Sequence, residues 1–425
     1  MSAQQLISRI EITPVAFHDP PLLNTVGVHE PFALRAIIQI HTSDGLVGLG
    51  ETYADAVHVG RLTAVADQII GVDVYSLGEL RNIVVSALAK LGPLAGGDGV
   101  AGMITTSSTI DRVFSPFEVA CLDIIGKSTG RPVVDILGGK VRESIPYSAY
   151  LFYKWENHPD NPNAADHWGE ALTPEQIVQQ ARRMVGEFGF SAIKLKGGVF
   201  PPEEEVAAIL ALREAFPDHP LRLDPNAAWT VETSVRVARQ LEGVVEYLED
   251  PTPGIAGMAE VARNIGTPLA TNMAVVSFAD LEPAIRQRAV GVVLSDHHFW
   301  GGLTQSKLLG GICETFSLGL SMHSNSHLGI SLAAMTHLAG ATGNLNYACD
   351  THWPWKTEDV IKPGILNFVD GSVRVPDAPG LGVELDQDAL AALHENYLEC
   401  GQTKRDDTDY MQRYFPKFER KSASW

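Results

Sequence analysis

Two lysines stand two positions apart in the stretch Ser191-Ala-Ile-Lys-Leu-Lys-Gly-Gly198, and that spacing is the first chemical signal in the chain. Residues i and i+2 of a β-strand point to one face, so Lys194 and Lys196 would bring two ammonium groups together. Each like charge raises the cost of ionising the other, and burial depresses a lysine's pKa further. The bland use for such a pair is a solvated edge strand; a core strand would carry Val or Ile. Gly197 and Gly198 beside them are expected to let a ligand come close to the backbone.

Three hard oxygen donors follow, Asp224, Glu249 and Asn272. Carboxylates and carbonyls suit a divalent cation such as Mg²⁺, which leaves coordination positions for substrate. Any one of the three alone would read as a helix N-cap. In succession beside two lysines they point to a metal. Asp296 and His323 add a carboxylate and an imidazole; a carboxylate that holds one ring nitrogen fixes the tautomer and raises the pKa, as a general base requires. The stretch Ser321-Met-His-Ser-Asn-Ser-His327 offers two histidines. His323 follows the apolar run Leu318-Gly-Leu at a strand end and takes the base role, whereas His327 falls where the next helix begins and supports it. Lysine and histidine on opposite sides of Mg²⁺ amount to a device for removing a proton next to a carboxylate, with the metal stabilising the enediolate. A hydroxyl on the adjacent carbon makes the outcome a dehydration; otherwise reprotonation gives racemisation or epimerisation.

The elements that must position these residues have a regular period. From Lys196 to Asp224 is 28 residues, to Glu249 a further 25, to Asn272 23, to Asp296 24 and to His323 27. One strand, one helix and two loops fill that length, the period of a (β/α) barrel whose strand ends gather on one rim. Eight strands are expected: 146–151, 192–196, 221–224, 246–249, 268–272, 292–296, 318–323 and 345–350. Thr173-Pro-Glu-Gln176 is an N-cap, an N1 proline and a capping-box glutamine in order. Before the barrel, apolar alternation at 7–12, 34–40 and 46–51 predicts a three-stranded antiparallel meander, followed by helices near 60–70, 77–91 and 116–127. The Gly-rich stretch 91–99 lacks the Gly-Lys-Ser/Thr of a phosphate cradle and reads as a mobile loop. The expected division is an α+β capping domain (1–134), a catalytic α/β barrel (135–380) and a C-terminal segment (381–425) packing back on the cap.

Composition sets the class. A chain of 425 residues is long for one ordinary core, and 45% hydrophobic with 20% charged residues is globular. No apolar run reaches the roughly 18 residues of a membrane span, and the first residues lack a signal-peptide pattern, which gives a cytoplasmic expectation. A formal charge of −19 argues against nucleic acid or an anionic membrane as partner, but leaves room for a small anion in a local basic pocket. Cys121, Cys313, Cys349 and Cys400 have no CxxC spacing and read as reduced.

The chain resembles the enolase superfamily and within it is similar to the D-glucarate dehydratase family. The resemblance is carried by Lys194-Leu-Lys-Gly-Gly-Val199, Leu223-Asp-Pro-Asn-Ala-Ala-Trp229, Glu249-Asp-Pro251, Ala270-Thr-Asn-Met273, Asp296-His-His-Phe-Trp300, His323-Ser-Asn325 with His327, Asp350-Thr-His-Trp353, Pro379-Gly-Leu-Gly-Val-Glu384 and Arg405-Asp-Asp407. It implies a capping domain over a modified (β/α)7β, TIM-like barrel and Mg²⁺-dependent dehydration of a six-carbon aldarate. It further implies Asp224, Glu249 and Asn272 as metal ligands, Lys196 as one base tuned by Lys194, and His323 with Asp296 as the opposite base and the acid for the departing hydroxide. Asn325 and Asn226 would assist, and His29, Tyr150 and His352 would line the substrate pocket. Barrels of this resemblance usually form homo-oligomers. Two departures bear on substrate. Where the family's cap loop commonly reads Glu-Val-Pro-Gly-Gly, this chain has Glu51-Thr-Tyr-Ala-Asp55, and an aspartate there would disfavour a distal carboxylate. The tail also lacks the family's closing Lys-Arg-Pro segment and final Arg, leaving Arg413, Lys417 and Arg420 as stand-in cations. With D-glucarate and L-idarate as the expected substrates, the rival reading is a dehydratase or epimerase of another acid sugar, such as galactarate or an aldonate. A zinc hydrolase barrel using His297, His298, His323, His327 and His352 is disfavoured, because its first strand would end in histidines and here it ends Ala149-Tyr-Leu-Phe-Tyr153.

Overall fold

The computed structural model describes residues 4–91, 106–161 and 166–425. The Gly-rich stretch expected as a mobile loop lies, beyond Leu91, outside the described residues. The N-terminal part is built on the expected meander: strands Ile7–His18, Phe32–Thr42 and Val47–Tyr53 pair antiparallel, with the second in the middle. A short hairpin, Leu23–Asn24 with Gly27–Val28, intervenes between the first two. Two residues a side are too few to leave a periodic signal. Helices Ala56–Ala66, Leu77–Lys90 and Thr106–Thr129 cover the sheet. The last extends well before Pro116, which lies inside it and reads in sequence as a helix start. Gly48 and Gly50 explain how close it lies: a side chain at either would collide with the carbonyls of Ala120 and Pro116.

The barrel sheet has seven parallel strands in chain order, Ser148–Phe152, Ala192–Lys196, Leu221–Asp224, Tyr247–Glu249, Leu269–Thr271, Val292–Ser295 and Gly319–Met322. The eighth expected strand, 345–350, is not one. Asn344 and Asn346 interrupt its apolar run, and Asn344 turns its amide to the Gly310 carbonyl at 2.8 Å. The segment still fills the gap between first and last strands. Asn346 and Asp350 donate backbone N–H groups to Leu320 and Met322 (3.1 and 2.8 Å). On the other side Ser148 N–H donates to Cys349, and Cys349 N–H to Pro146 (2.8 and 2.9 Å).

The helix Pro174–Phe188 starts at the capping box read from sequence: Thr173 Oγ1 accepts from Gln176 N–H, and Gln176 Oε1 accepts from Thr173 N–H. After the barrel, Phe368–Val369 pairs antiparallel with Ser372–Arg374, which pairs in turn with Ser144–Pro146. Helix Gln387–Glu399 then lies along the first strand of the cap, where Asn396 Nδ2 donates to the Ala16 carbonyl (3.4 Å). Helix Asp407–Tyr414 reaches the intervening hairpin through Thr408 Oγ1 to the Val26 carbonyl (2.6 Å). Among the described residues no helix is long and apolar enough to cross a membrane.

His337 joins three parts of this assembly. From helix Gly329–Ala341 its Nδ1 accepts from Val134 N–H (3.2 Å) and its Nε2 donates to the Leu381 carbonyl (3.0 Å). Burial lowers its pKa to about 4, so the fold holds it neutral while the unfolded chain takes up a proton near 6.5. Its contribution to stability is therefore complete above the unfolded value and is lost as pH falls towards the folded one. We expect His337→Gln, which can keep both hydrogen bonds, to show a smaller drop in Tm than the parent between about pH 7 and about pH 5. Equal drops would refute this.

Candidate active site

Lys194 and Lys196 are both buried, which rules out the edge-strand use of the pair. Lys194 Nζ lies 2.7 Å from Asp350 Oδ2, 2.7 Å from Glu249 Oε2 and 3.3 Å from Asp224 Oδ2. Lys196 Nζ donates to Asp224 Oδ2 and to Asn226 Oδ1, each at 2.8 Å. Burial works against the Lys194 ammonium, but Asp350 and Glu249 more than offset it and hold its pKa well above normal. This is the reverse of the direction expected from burial and a like-charged neighbour. Asp350 has no role in the sequence pattern that contains it, and its position opposite Lys194 supplies one.

The carboxylates complete the balance. Burial pushes Asp224 up, but Lys196 and Lys194 outweigh it and hold the group below its ordinary range. Burial also pushes Glu249 well up, and the nearby Asp224 adds to the shift. Three carboxylates against two ammoniums leave a buried surplus of negative charge, which a divalent cation would relieve. Asn272 fits the same ion: its buried Oδ1 has no hydrogen-bond partner among the described residues. Its backbone is held by Asp250, which accepts from Asn272 N–H (2.8 Å), Met273 N–H (3.0 Å) and Thr271 Oγ1 (2.6 Å).

Backbone strain collects at these strand ends. Asn226, Ala227 and Asp250 adopt φ of 54°, 62° and 37°, a region non-glycine residues avoid. Asn226 is kept there by its N–H to Asp224 Oδ1 (3.0 Å) and its amide to Thr25 Oγ1 of the cap (2.9 Å). Gly198, at φ 75°, packs against the Pro225 carbonyl and Thr25. The two glycines therefore make room for protein, and neither lines the cavity described below, contrary to the expectation of close ligand approach.

Across the barrel, His323 Nδ1 faces Asp296 Oδ2 at 3.1 Å. The other oxygen of Asp296 accepts from His298 N–H (2.9 Å) and pairs with His298 Nδ1 (2.8 Å). His298 Nε2 lies 2.9 Å from Arg35 Nη2. A guanidinium can only donate, so Nε2 is an acceptor and the His298 proton sits on Nδ1, aimed at Asp296. Burial lowers the His298 pKa, consistent with that neutral ring. Burial opposes the Asp296 charge, but His298 and His323 together hold its pKa well below normal. Arg35 comes from the cap meander and is itself anchored by Glu51 Oε1 (2.9 Å), with both side chains buried. Asp296, His297 and His298 offer donor atoms within 4.8 Å of one another. Two of those residues are already committed to each other and to His323.

One cavity joins these parts. Of the expected residues it is lined by His29, Tyr150, Lys196, Asn226, Asn272, His323, Asn325 and His352. Lys194, Asp224, Glu249 and Asp296 lie beneath its wall. His327 does not line it: Nδ1 and Nε2 face the Leu328 carbonyl (3.0 Å) and Thr351 Oγ1 (3.2 Å), and burial lowers its pKa to about 4. The loop before helix Gly329–Ala341 turns it away. His29 Nδ1 pairs with Asp19 (3.0 Å), and Asn325 Nδ2 donates to the Tyr53 hydroxyl (3.0 Å). Of the stand-in cations only Arg420 lines the cavity; Arg413 is exposed on Asp409. Arg405, in the quoted Arg405-Asp-Asp407, also lines it. Asp55 accepts from the Arg405 backbone N–H (3.1 Å), so it ties the tail to the cap.

Residues 12–138 match the family described as mandelate racemase / muconate lactonizing enzyme, N-terminal domain, and residues 176–389 the enolase C-terminal domain-like family. A probable glucarate dehydratase of Streptomyces coelicolor is 50% identical over 96% of each chain. An enolase of Mycobacterium smegmatis, crystallised with tartrate, superposes with TM-score 0.95 at 64% identity over 100% of both chains. An enolase of Pseudomonas fluorescens with bound magnesium, potassium and tartrate superposes with TM-score 0.96 at 50% identity, again over 100% of both.

The Arg35–Glu51 pair gives a direct test of how the cap holds this site. Arg35→Met should destabilise the protein by about 3 kcal/mol or more, because it strands a buried carboxylate. Adding Glu51→Gln, which removes the stranded charge and keeps an acceptor for one of the two N–H groups of Leu328 and Ser331, should recover part of that in urea unfolding. A double variant no more stable than the single one would refute the pairing argument.

Proposed function

The chain belongs to the enolase superfamily, among its acid-sugar dehydratases, and we propose that it removes water from D-glucarate, and from L-idarate, to give 5-dehydro-4-deoxy-D-glucarate. The observation that carries this is the meeting of Lys196, Asn272 and His323 in one cavity above Asp224 and Glu249. Asp224, Glu249 and Asn272 would hold Mg²⁺, which when bound supplies Lewis acidity to a substrate carboxylate.

The chain's own residues supply the proton chemistry. His323 has Nδ1 held by Asp296, which leaves Nε2 to take or give a proton. Lys196 stands on the other side, its Nζ oriented by Asp224 and Asn226. Lys194, paired with Asp350 and Glu249, stays charged and offsets the anion formed when the proton leaves. D-glucarate and L-idarate differ only at the carbon that loses this proton, so a base on each face serves one of them. The hydroxyl of the next carbon departs with a proton from His323, as water. The remaining enol then becomes the ketone by moving its hydroxyl proton to carbon. Asn325 orients that acid, and His29, Tyr150, Asn226 and His352 contact the hydroxyls.

The test is incubation of D-glucarate, L-idarate, galactarate and D-gluconate with the protein and Mg²⁺, reading 2-keto acid formation. D-glucarate and L-idarate should be consumed, and turnover confined to galactarate or D-gluconate would overturn the assignment. Lys196→Ala and His323→Ala should each lose at least about 100-fold in rate. A His327→Ala variant more damaged than His323→Ala would reassign the base.

A further inference from the structure

Four arginines line the cavity, and three of them already have partners. Arg35 is held by Glu51. Arg405 faces Asp407 with two nitrogens (2.9 and 3.0 Å) and Asp19 with a third (3.3 Å). Arg420 Nε donates to Thr408 Oγ1 (2.8 Å), with Asp406 3.8 Å from Nη2. Arg112 differs. It is only 6% exposed, makes no ion pair among the described residues, and its buried Nε has no hydrogen-bond partner. Its guanidinium lies against aromatic rings, 4.8 Å from Tyr53 and 5.3 Å from Phe299.

A guanidinium does not lose its proton, so burial without an anion leaves a desolvation cost that aromatic faces offset only in part. Asp55 lines the same cavity, but neither it nor Asp296 forms an ion pair with Arg112; both act on it through space. The cavity is where its anion can come from. Its place is set by Tyr53, whose ring it stacks on and whose hydroxyl accepts from Asn325, two residues beyond His323. The Tyr53 hydroxyl therefore still has its own proton to donate, and Tyr53 and Arg112 line the same cavity. A planar fork with a hydroxyl next to it matches a carboxylate. We propose that Arg112 and Tyr53 form an anion subsite on the His323 side of the cavity, taking the substrate carboxylate remote from the one that loses its α-proton. This rests on the acid-sugar assignment and deepens it: the substrate is a dicarboxylate, and an aldonate leaves the subsite unfilled. Tyr53 comes from the part of the cap loop where the sequence departs from the family pattern.

Calorimetry with Mg²⁺ tests this with two acids of equal length, D-glucarate and D-gluconate, which differ at the remote end in carboxylate against hydroxymethyl. A His323→Asn parent keeps turnover from intruding. Adding Arg112→Met should weaken D-glucarate by at least about 30-fold and leave D-gluconate affinity where it was, and Arg112→Lys should restore part of the loss. Equal weakening of both acids, no weakening of either, or no measurable D-glucarate binding to the parent would each overturn the subsite. Failure of the dehydratase assignment shows separately, as D-glucarate binding to the wild type without 2-keto acid formation, and the Arg112 comparison reads the same in that case.

Discussion

The structure depends on burying two ammonium groups with three carboxylates at the centre of the barrel. None of these groups is tolerable there alone, since an isolated charge in a low-dielectric interior is strongly disfavoured. Lys194 is acceptable because Asp350, Glu249 and Asp224 surround it, and Lys196 because Asp224 and Asn226 receive it. The two lysines share one strand, while Asp224, Glu249 and Asp350 come from two other strand ends and the closing segment, so the cluster exists only when the barrel is closed. The surplus negative charge that remains is what suits the centre to a divalent cation.

The cap completes the site from above. Arg35 fixes the tautomer of His298, His298 fixes Asp296, and Asp296 holds His323. Thr25 holds the strained Asn226 that in turn receives Lys196. The C-terminal segment joins through Arg405, whose guanidinium meets Asp19 and whose backbone N–H donates to the Asp55 carboxylate. Lys196 and His323, on opposite sides of one cavity, are thus each positioned through residues from another part of the chain.

Much of this was legible in the order of residues. The near-constant spacing from Lys196 to His323 gave the barrel period, because strand, helix and loops have fixed lengths. The capping box at Thr173 was legible because it is local. Other features were not. The eighth strand position looked regular in sequence but is held by scattered backbone bonds, with Asn346 breaking its apolar run and Asn344 turned to the Gly310 carbonyl. His327 is as polar as His323 and four residues away, yet the loop geometry turns it into the wall. The Gly197-Gly198 pair suggested a ligand, whereas the adjoining backbone needed the space.

By itself the sequence determined which chemistry was possible: two lysines at strand spacing, three hard ligands, and a carboxylate with an imidazole at barrel intervals. Those are properties of residue type and of local periodicity, which survive without a fold. Only the tertiary structure decided which charges neutralise one another. Asp350 meets Lys194 across 156 residues, Arg35 reaches His298 across 263, and Arg112 is left facing the cavity with no ion pair among the described residues. Electrostatic balance in a buried site is set by distances of a few ångströms between distant segments, and no spacing along the chain encodes it.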